Sequence, residues 1–258
     1  MPMTSTRAHV ERSLSLFTVG ALAALSASAA MGQGMVSGDH IATEAGDLVI
    51  QPLDHATFAM SWDGKTIYVD PVGGAERFEG LPSPDLILVT DIHGDHLDAE
   101  TLAAVVTEDT VVIAPAAVAE QLPDSLRQIT SLLANGEWTT VLGVSIEGVP
   151  MYNLTEERLR FHDKGRGNGY LVTFGGTRVY ISGDTEDIPE MRSLEDIDVA
   201  FVCFNLPYTM TEDQAASAVL EFAPTVVYPY HYRGSDVAEF ARLVGADSGI
   251  EVRLREWY

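Results

Sequence analysis

"DLILVTDIHGDH", residues 85–96, decides how this chain is read. Leu86–Val89 is a compact run of branched apolar residues, the pattern of a buried strand. At its tip, Asp91, His93, Asp95 and His96 fall within six residues. A strand end holds the base of such a loop rigid, so residues two or three apart can converge. Imidazole nitrogens beside carboxylate oxygens suit zinc, manganese or iron.

Further along the chain, "TRVYISGDT" (177–185) ends a second apolar strand at Asp184, and "TVVYPYH" (225–231) ends a third at His231. Three strands therefore finish in metal-capable residues, and loops on one sheet edge can share a cleft. Runs such as "TFAMSW", "TIYVD", "VSIEGVPM" and "GYLVTF" read as further strands, with "WDGK" and "FGGT" as hairpin turns. Helices interleave. Asp98 caps one, Thr211 and Gln214 form a capping box for another that Pro224 stops, and Gly245 ends a third. Residue pattern alone supports a mixed α/β domain.

The spacing resembles the metallo-β-lactamase superfamily, whose pattern is H-x-H-x-D-H after a strand, then an isolated His, an Asp and a final His. Here "DIHGDH" (91–96), "PMYN" (150–153), "SGDT" (182–185) and "YPYHYRG" (228–234) occur in that order, and "TIYVDP" (66–71) matches an upstream Asp-Pro strand end. "HDKGRGNGYL" and "NLPYTM" look like the branch that contains ascorbate-phosphate lactonases. The resemblance implies an α/β (α+β) fold, a four-layer αββα sandwich, over residues 46–258. It implies one metal site of Asp95, His96 and His231, with Asp184 bridging to a second site of Asp91, His93 and Asn153. Asp91 and Asn153 stand where the family has histidines. The expected second site is therefore hard and oxygen-rich, weaker for zinc, and either filled by manganese or empty. His162 is a further donor that could complete it. His55 is expected to support the site rather than ligate.

The implied cofactor is one or two divalent ions, Zn or Mn. A bound divalent metal lowers the pKa of its water toward about 7, with Asp95 and His96 as the catalytic ligands and Asp95 orienting the nucleophile. The substrate is expected to be a small molecule with a lactone, ester or phosphodiester bond, anionic as one option. Lys164 and Arg166 form a candidate anion clamp, and Tyr208 and Arg233 flank the cleft. Two alternatives stay open: a metal-binding protein with a degenerate site, and a true β-lactamase.

The net charge of −23 excludes nucleic acid and anionic membrane surfaces as partners by repulsion. Arg7 and Arg12, an apolar stretch from Leu14 to Leu25 and then small residues make residues 1–30 a signal peptide, cut after Ala29 or Ala30. Residues 31–45 are expected to be a mature extension that includes His40. The location is then periplasmic or secreted, with no stable membrane insertion after cleavage. Cys203, the single cysteine, reads as a core residue.

Overall fold

The computed structural model describes residues 36–258. The expected signal peptide lies outside the described residues. No helix among them is long and apolar enough to cross a membrane.

The first sheet contains β1 Asp39–Thr43, β2 Gly46–Asp54, β3 Thr57–Trp62, β4 Lys65–Val69, β5 Leu86–Leu88, β6 Val111–Ala114 and β7 Thr130–Leu132, neighbours in chain order. The second contains β8 Trp138–Val141, β9 Val144–Met151, β10 Gly167–Phe174, β11 Thr177–Ile181, β12 Val199–Cys203, β13 Val226–Tyr230 and β14 Glu251–Val252, again in chain order. Helices α1 Ala99–Val105, α2 Ala116–Gln121 and α3 Asp124–Arg127 belong to the first half, and α4 Pro189–Arg192, α5 Glu212–Phe222 and α6 Val237–Val244 to the second. This is the expected α+β sandwich.

Strand alternation divides the buried side chains. Phe58, Met60, Ile67 and Val69 face the second sheet, where Phe58 stacks on Phe201 at 4.3 Å. Ala59, Tyr68, Ile87 and Val112 face the other way and pack with Leu102, Val118 and Leu126 of the helices. Local signals behave as expected. Asp98 accepts from the Glu100 and Thr101 N–H groups, and Thr211 and Gln214 close their box. The turns at Asp63–Gly64 and Gly175–Gly176 have positive φ at both residues, as a two-residue hairpin of type I′ requires.

One expectation is corrected. Residues 39–43 are not an extension but edge strand β1, paired antiparallel with β2, and His40 Nδ1 lies 3.0 Å from Asp47. The alternating polar residues of "DHIAT" suit an exposed edge, which is why the segment lacks an apolar strand signature.

Strand direction places the site. β4, β5 and β6 are parallel, and β2 runs with β4 because β3 is antiparallel to both. β11, β12 and β13 are parallel, and β9 runs with them. In each sheet these carboxyl ends share an edge, where open α/β sheets bind ligands. The two edges are joined directly: Asn168 N–H donates to Thr90 O at 2.9 Å and Tyr170 Oη to Val89 O at 2.7 Å.

Candidate metal centre

A deep lobe forms where β4, β5, β11 and β13 end. His96 is fully buried, with Nδ1 2.8 Å from Asp70 Oδ2. Thr90 completes the contact, its N–H donating to Asp70 Oδ1 and its Oγ1 to Oδ2. Asp70 therefore accepts from Nδ1–H and leaves Nε2 as a bare donor, the arrangement that orients metal-binding histidines. His96 Nε2 faces Asp184 Oδ2 at 3.4 Å, and His231 Nε2 lies 3.3 Å from Asp184 Oδ1 and 3.2 Å from Asp95 Oδ2. Ligand atoms about 2.0–2.1 Å from a tetrahedral metal lie about 3.4 Å apart, so these separations are the edges of a coordination polyhedron.

An outer lobe shares Asp184. His162 Nε2 is 3.2 Å from Asp184 Oδ2 and 3.9 Å from Asp91 Oδ2, and His93 Nδ1 is 2.7 Å from Asp91 Oδ2. Arg166 holds the buried Asp91 from behind, Nε to Oδ1 at 3.2 Å and Nη2 to Oδ2 at 3.0 Å. Each lobe thus offers two imidazoles and two carboxylates, with Asp184 common to both.

The electrostatics ask for cations. Burial pushes the Asp184 carboxyl up, but His231, His96 and His162 outweigh it and hold it well below the usual range. Burial likewise opposes ionisation of Asp95 and Asp91. Hydrogen bonds from His231 and His55 hold Asp95 down, and His93 with Arg166 holds Asp91 down. His96 is driven well above its ordinary value by Asp184 and Asp70, against the effect of burial. Meanwhile His96 Nε2, His162 Nε2 and Asp184 Oδ1 are buried with no hydrogen-bond partner. Such orphans are costly unless something satisfies them. Divalent ions would satisfy all three, and the residues present fit them.

Local backbone is strained here as well. His55, Asp70 and His231, none of them glycine, sit at φ of 52°, 44° and 49°. Left-handed residues of this kind cluster where side chains must be aimed. His55 and His231 are tied together by a His231 N–H to His55 O bond, and their rings stack at 3.8 Å. His55 Nε2 reaches Asp95 Oδ2 at 3.2 Å, and its Nδ1 reaches Tyr258 Oη at 2.6 Å. A cavity of about 660 Å³ opens over both lobes, walled by Phe161, Leu206, Pro207, Tyr208 and Arg233.

Residues 49–231 match the family model described as a Beta-lactamase superfamily domain. The chain is 32% identical over 207 residues to a metal-dependent hydrolase of Thermococcus kodakarensis, covering 75% of this chain and 90% of that one. The chain belongs to the metallo-β-lactamase superfamily. A crystal structure from Parabacteroides distasonis, described as a metal-dependent hydrolase, shares 42% identity at a TM-score of 0.80, over 86% of this chain and 100% of that one. A metallo hydrolase of Ignicoccus hospitalis, at 23% identity and a TM-score of 0.68 over 81% of this chain and 95% of that one, shares the fold. This metallo-β-lactamase superfamily member is thereby a metal-dependent hydrolase in kind.

Within that frame the residues expected from sequence divide. Asp95, His96, Asp184 and His231 come together in the deep lobe, and Asp91 and His93 in the outer one. Asn153 Oδ1, the oxygen expected as a weak donor, is buried with no hydrogen-bond partner. The Asn153 Nδ2 faces the carbonyls of Tyr208 and Arg158 at 2.7 and 2.9 Å, and turning the amide would set Oδ1 against both oxygens. His162 joins Asp91 and His93 in the outer lobe. The excursion after Asn153 returns so that Asn153 N–H donates to His162 O at 3.0 Å. With His93 and His162 the outer lobe offers two imidazoles, so it is richer in nitrogen than the site expected from Asp91, His93 and Asn153. Lys164 pairs with Glu190 at 2.7 Å and Arg166 with Asp91, so neither forms the expected clamp; Tyr208 and Arg233 do line the cavity. Asp70 and Tyr258 are members of the site that sequence reasoning misses. The Asp-Pro strand end is a usable signal for Asp70, whereas Tyr258 is 203 positions from His55 and has none.

Proposed function

We propose that the chain hydrolyses a lactone, ester or phosphodiester bond in a small molecule, with a divalent ion in each lobe. The observation that carries this reading is the shared Asp184, with imidazole nitrogens of His96, His162 and His231 at 3.2–3.4 Å and with His96 Nε2, His162 Nε2 and Asp184 Oδ1 buried without partners. Two nitrogens and two oxygens per lobe suit zinc and manganese alike. Such ions supply Lewis acidity and make water a nucleophile at neutral pH.

The chain's own residues do the rest. Asp184 is sealed from solvent, its side chain 4% exposed, and serves to hold. Asp95 is 45% exposed and faces the cavity. Its Oδ2 accepts from His55 Nε2, so Oδ1 is the atom that orients the attacking water and accepts its proton. Asp70 keeps His96 in the tautomer that leaves Nε2 free. Tyr208, on the cavity wall, is placed to hydrogen-bond the oxygen that gains charge.

Export to the periplasm or beyond completes the reading, supported by the basic, apolar and small-residue order of residues 7–30. Intact-mass measurement of the exported chain tests it, and retention of Met1 would refute it. The hydrolase reading is tested by loading the protein with zinc or manganese, counting bound metal, and assaying a γ-lactone, an aryl ester and an aryl phosphodiester. Two bound equivalents with turnover of none of the three would overturn it.

A further inference from the structure

The chain carries 38 acidic residues against 15 lysines and arginines, so a cation without a carboxylate partner is the exception. Among the described residues only Arg160, Arg178 and Arg233 form no ion pair; every other lysine and arginine does. Arg178 opens β11, at the end of that strand away from Asp184. Of the other two, one lines the cavity and one lies behind its wall. Arg233 is the lining one, its guanidinium 5.1 Å over the Tyr258 ring. Arg160 lies 4.7 Å over the ring of Phe161, itself a lining residue.

Part of the cavity wall is apolar. Leu206 and Tyr208 are each 45% exposed, and Phe161 meets Tyr208 edge to face at 5.1 Å. Large apolar side chains left open beside a polar floor mark the place where a ligand's apolar body is covered. A guanidinium at the rim recognises carboxylate or phosphate oxygens through two parallel hydrogen bonds. It also has a second use here. An anionic group that met no cation at the rim would compete for the metal positions themselves.

We propose that the substrate is an amphipathic anion: apart from the bond that is cleaved, it carries a carboxylate or phosphate that Arg233 binds, and an apolar body that lies on the Phe161–Leu206–Tyr208 wall. This rests on the hydrolase reading for the word substrate, but the anion site can be tested without turnover.

The kinetic arm compares p-nitrophenyl butyrate, mono-p-nitrophenyl glutarate and the p-nitrophenyl ester of 3-phosphonopropionate on the metal-loaded protein. The three present the same ester with no distal charge, a distal carboxylate or a distal phosphonate, so the second and third separate the two oxyanions. Arg233→Gln should lower the ratio of anionic to neutral kcat/KM about tenfold or more, through KM, the size expected for one lost charge-assisted hydrogen bond. Arg233→Lys should restore part of it. The binding arm measures glutaranilic acid and butyranilide by calorimetry, with the acid losing affinity in Arg233→Gln and the neutral amide keeping its own. An unchanged ratio together with equal loss or equal retention of both amides would overturn the proposal. Absence of turnover with an Arg233-dependent affinity for the acid would instead overturn the hydrolase reading and leave the anion site standing.

Discussion

Arg166 grips both oxygens of Asp91, Nε on Oδ1 at 3.2 Å and Nη2 on Oδ2 at 3.0 Å, and the carboxylate is fully buried. The pair explains how an aspartate stands where the superfamily has an imidazole. The guanidinium satisfies the charge that a neutral ligand would not have brought. Removing one partner of a buried pair is costlier than the pair is worth, at about 3–5 kcal/mol, because the other charge stays behind. Arg166→Gln should therefore lower thermal stability and weaken metal binding in the outer lobe about 10–100-fold, as loss of a group that supports a ligand does. Calorimetric titration with zinc checks this. An outer-lobe affinity like that of the parent would show that Arg166 braces the loop and not the ligand. Asp91→His, which restores the superfamily's residue, should fail to strengthen that lobe, because it leaves the guanidinium unpaired.

The second expectation separates Asn153 from His162. His162→Ala removes an imidazole whose Nε2 is buried without a partner, so bound metal should fall from two equivalents toward one. Asn153→Ala removes the amide that fixes the loop through the Tyr208 and Arg158 carbonyls, and with it an oxygen that is at most a weak donor. It should keep two equivalents at reduced outer-lobe affinity. Elemental analysis after dialysis decides the matter. The opposite pattern would return Asn153 to the ligand set.

Those two residues also mark where the sequence stops being legible. The deep lobe can be read because its donors lie in short loops that follow apolar strands: His96 in the loop after β5, Asp184 after β11 and His231 at the end of β13. A strand carries its own signature and fixes the direction in which the next few residues leave it. His162 comes after no strand. It sits on an irregular segment that turns back through a short helical turn at Glu156–Arg158, and its position depends on bonds to residues far along the chain. The cations fail in the same way. Lys164 and Arg166 look alike in a glycine-rich loop, yet only tertiary contacts reveal that Glu190 and Asp91 claim them.

Tyr258 and His55 give the third expectation. The phenol at 2.6 Å from His55 Nδ1 donates there, so the ring's remaining proton sits on Nε2, which donates to Asp95 Oδ2 at 3.2 Å. Tyr258→Phe frees the ring to take either tautomer and loosens Asp95, the residue that handles the water. Metal content should stay at two equivalents while kcat falls about tenfold and KM holds, since the loss lies in orientation. His55→Gln, which can still donate one N–H to Asp95, should retain more activity than His55→Ala. Loss of a metal equivalent in His55→Ala would instead make His55 a ligand, a role its position beside Asp95 and His231 also permits.

Glu186 supplies the last expectation and its pH dependence. It is buried two residues beyond Asp184. Its Oε2 accepts from the Leu154 and Thr155 N–H groups at 2.6 Å each, and its Oε1 from Arg158. It thereby ties the segment from Asn153 to His162 to the strand end that carries the shared ligand. Burial raises the Glu186 carboxyl, but the Thr155 and Leu154 bonds and Arg158 outweigh it and hold the group below its ordinary 4.5. A carboxyl depressed on folding stabilises the fold above its unfolded pKa and loses that contribution as pH falls through the folded value. Glu186→Gln should accordingly cost about 1–3 kcal/mol near neutrality, where it removes charge from a buried acceptor. The gap should close as pH falls through the depressed folded value, below 4.5, where the parent carboxyl also becomes neutral. Paired thermal unfolding curves from pH 3 to 7 measure it. A difference that stays constant across that range would mean that shape, and not charge, is what Glu186 contributes.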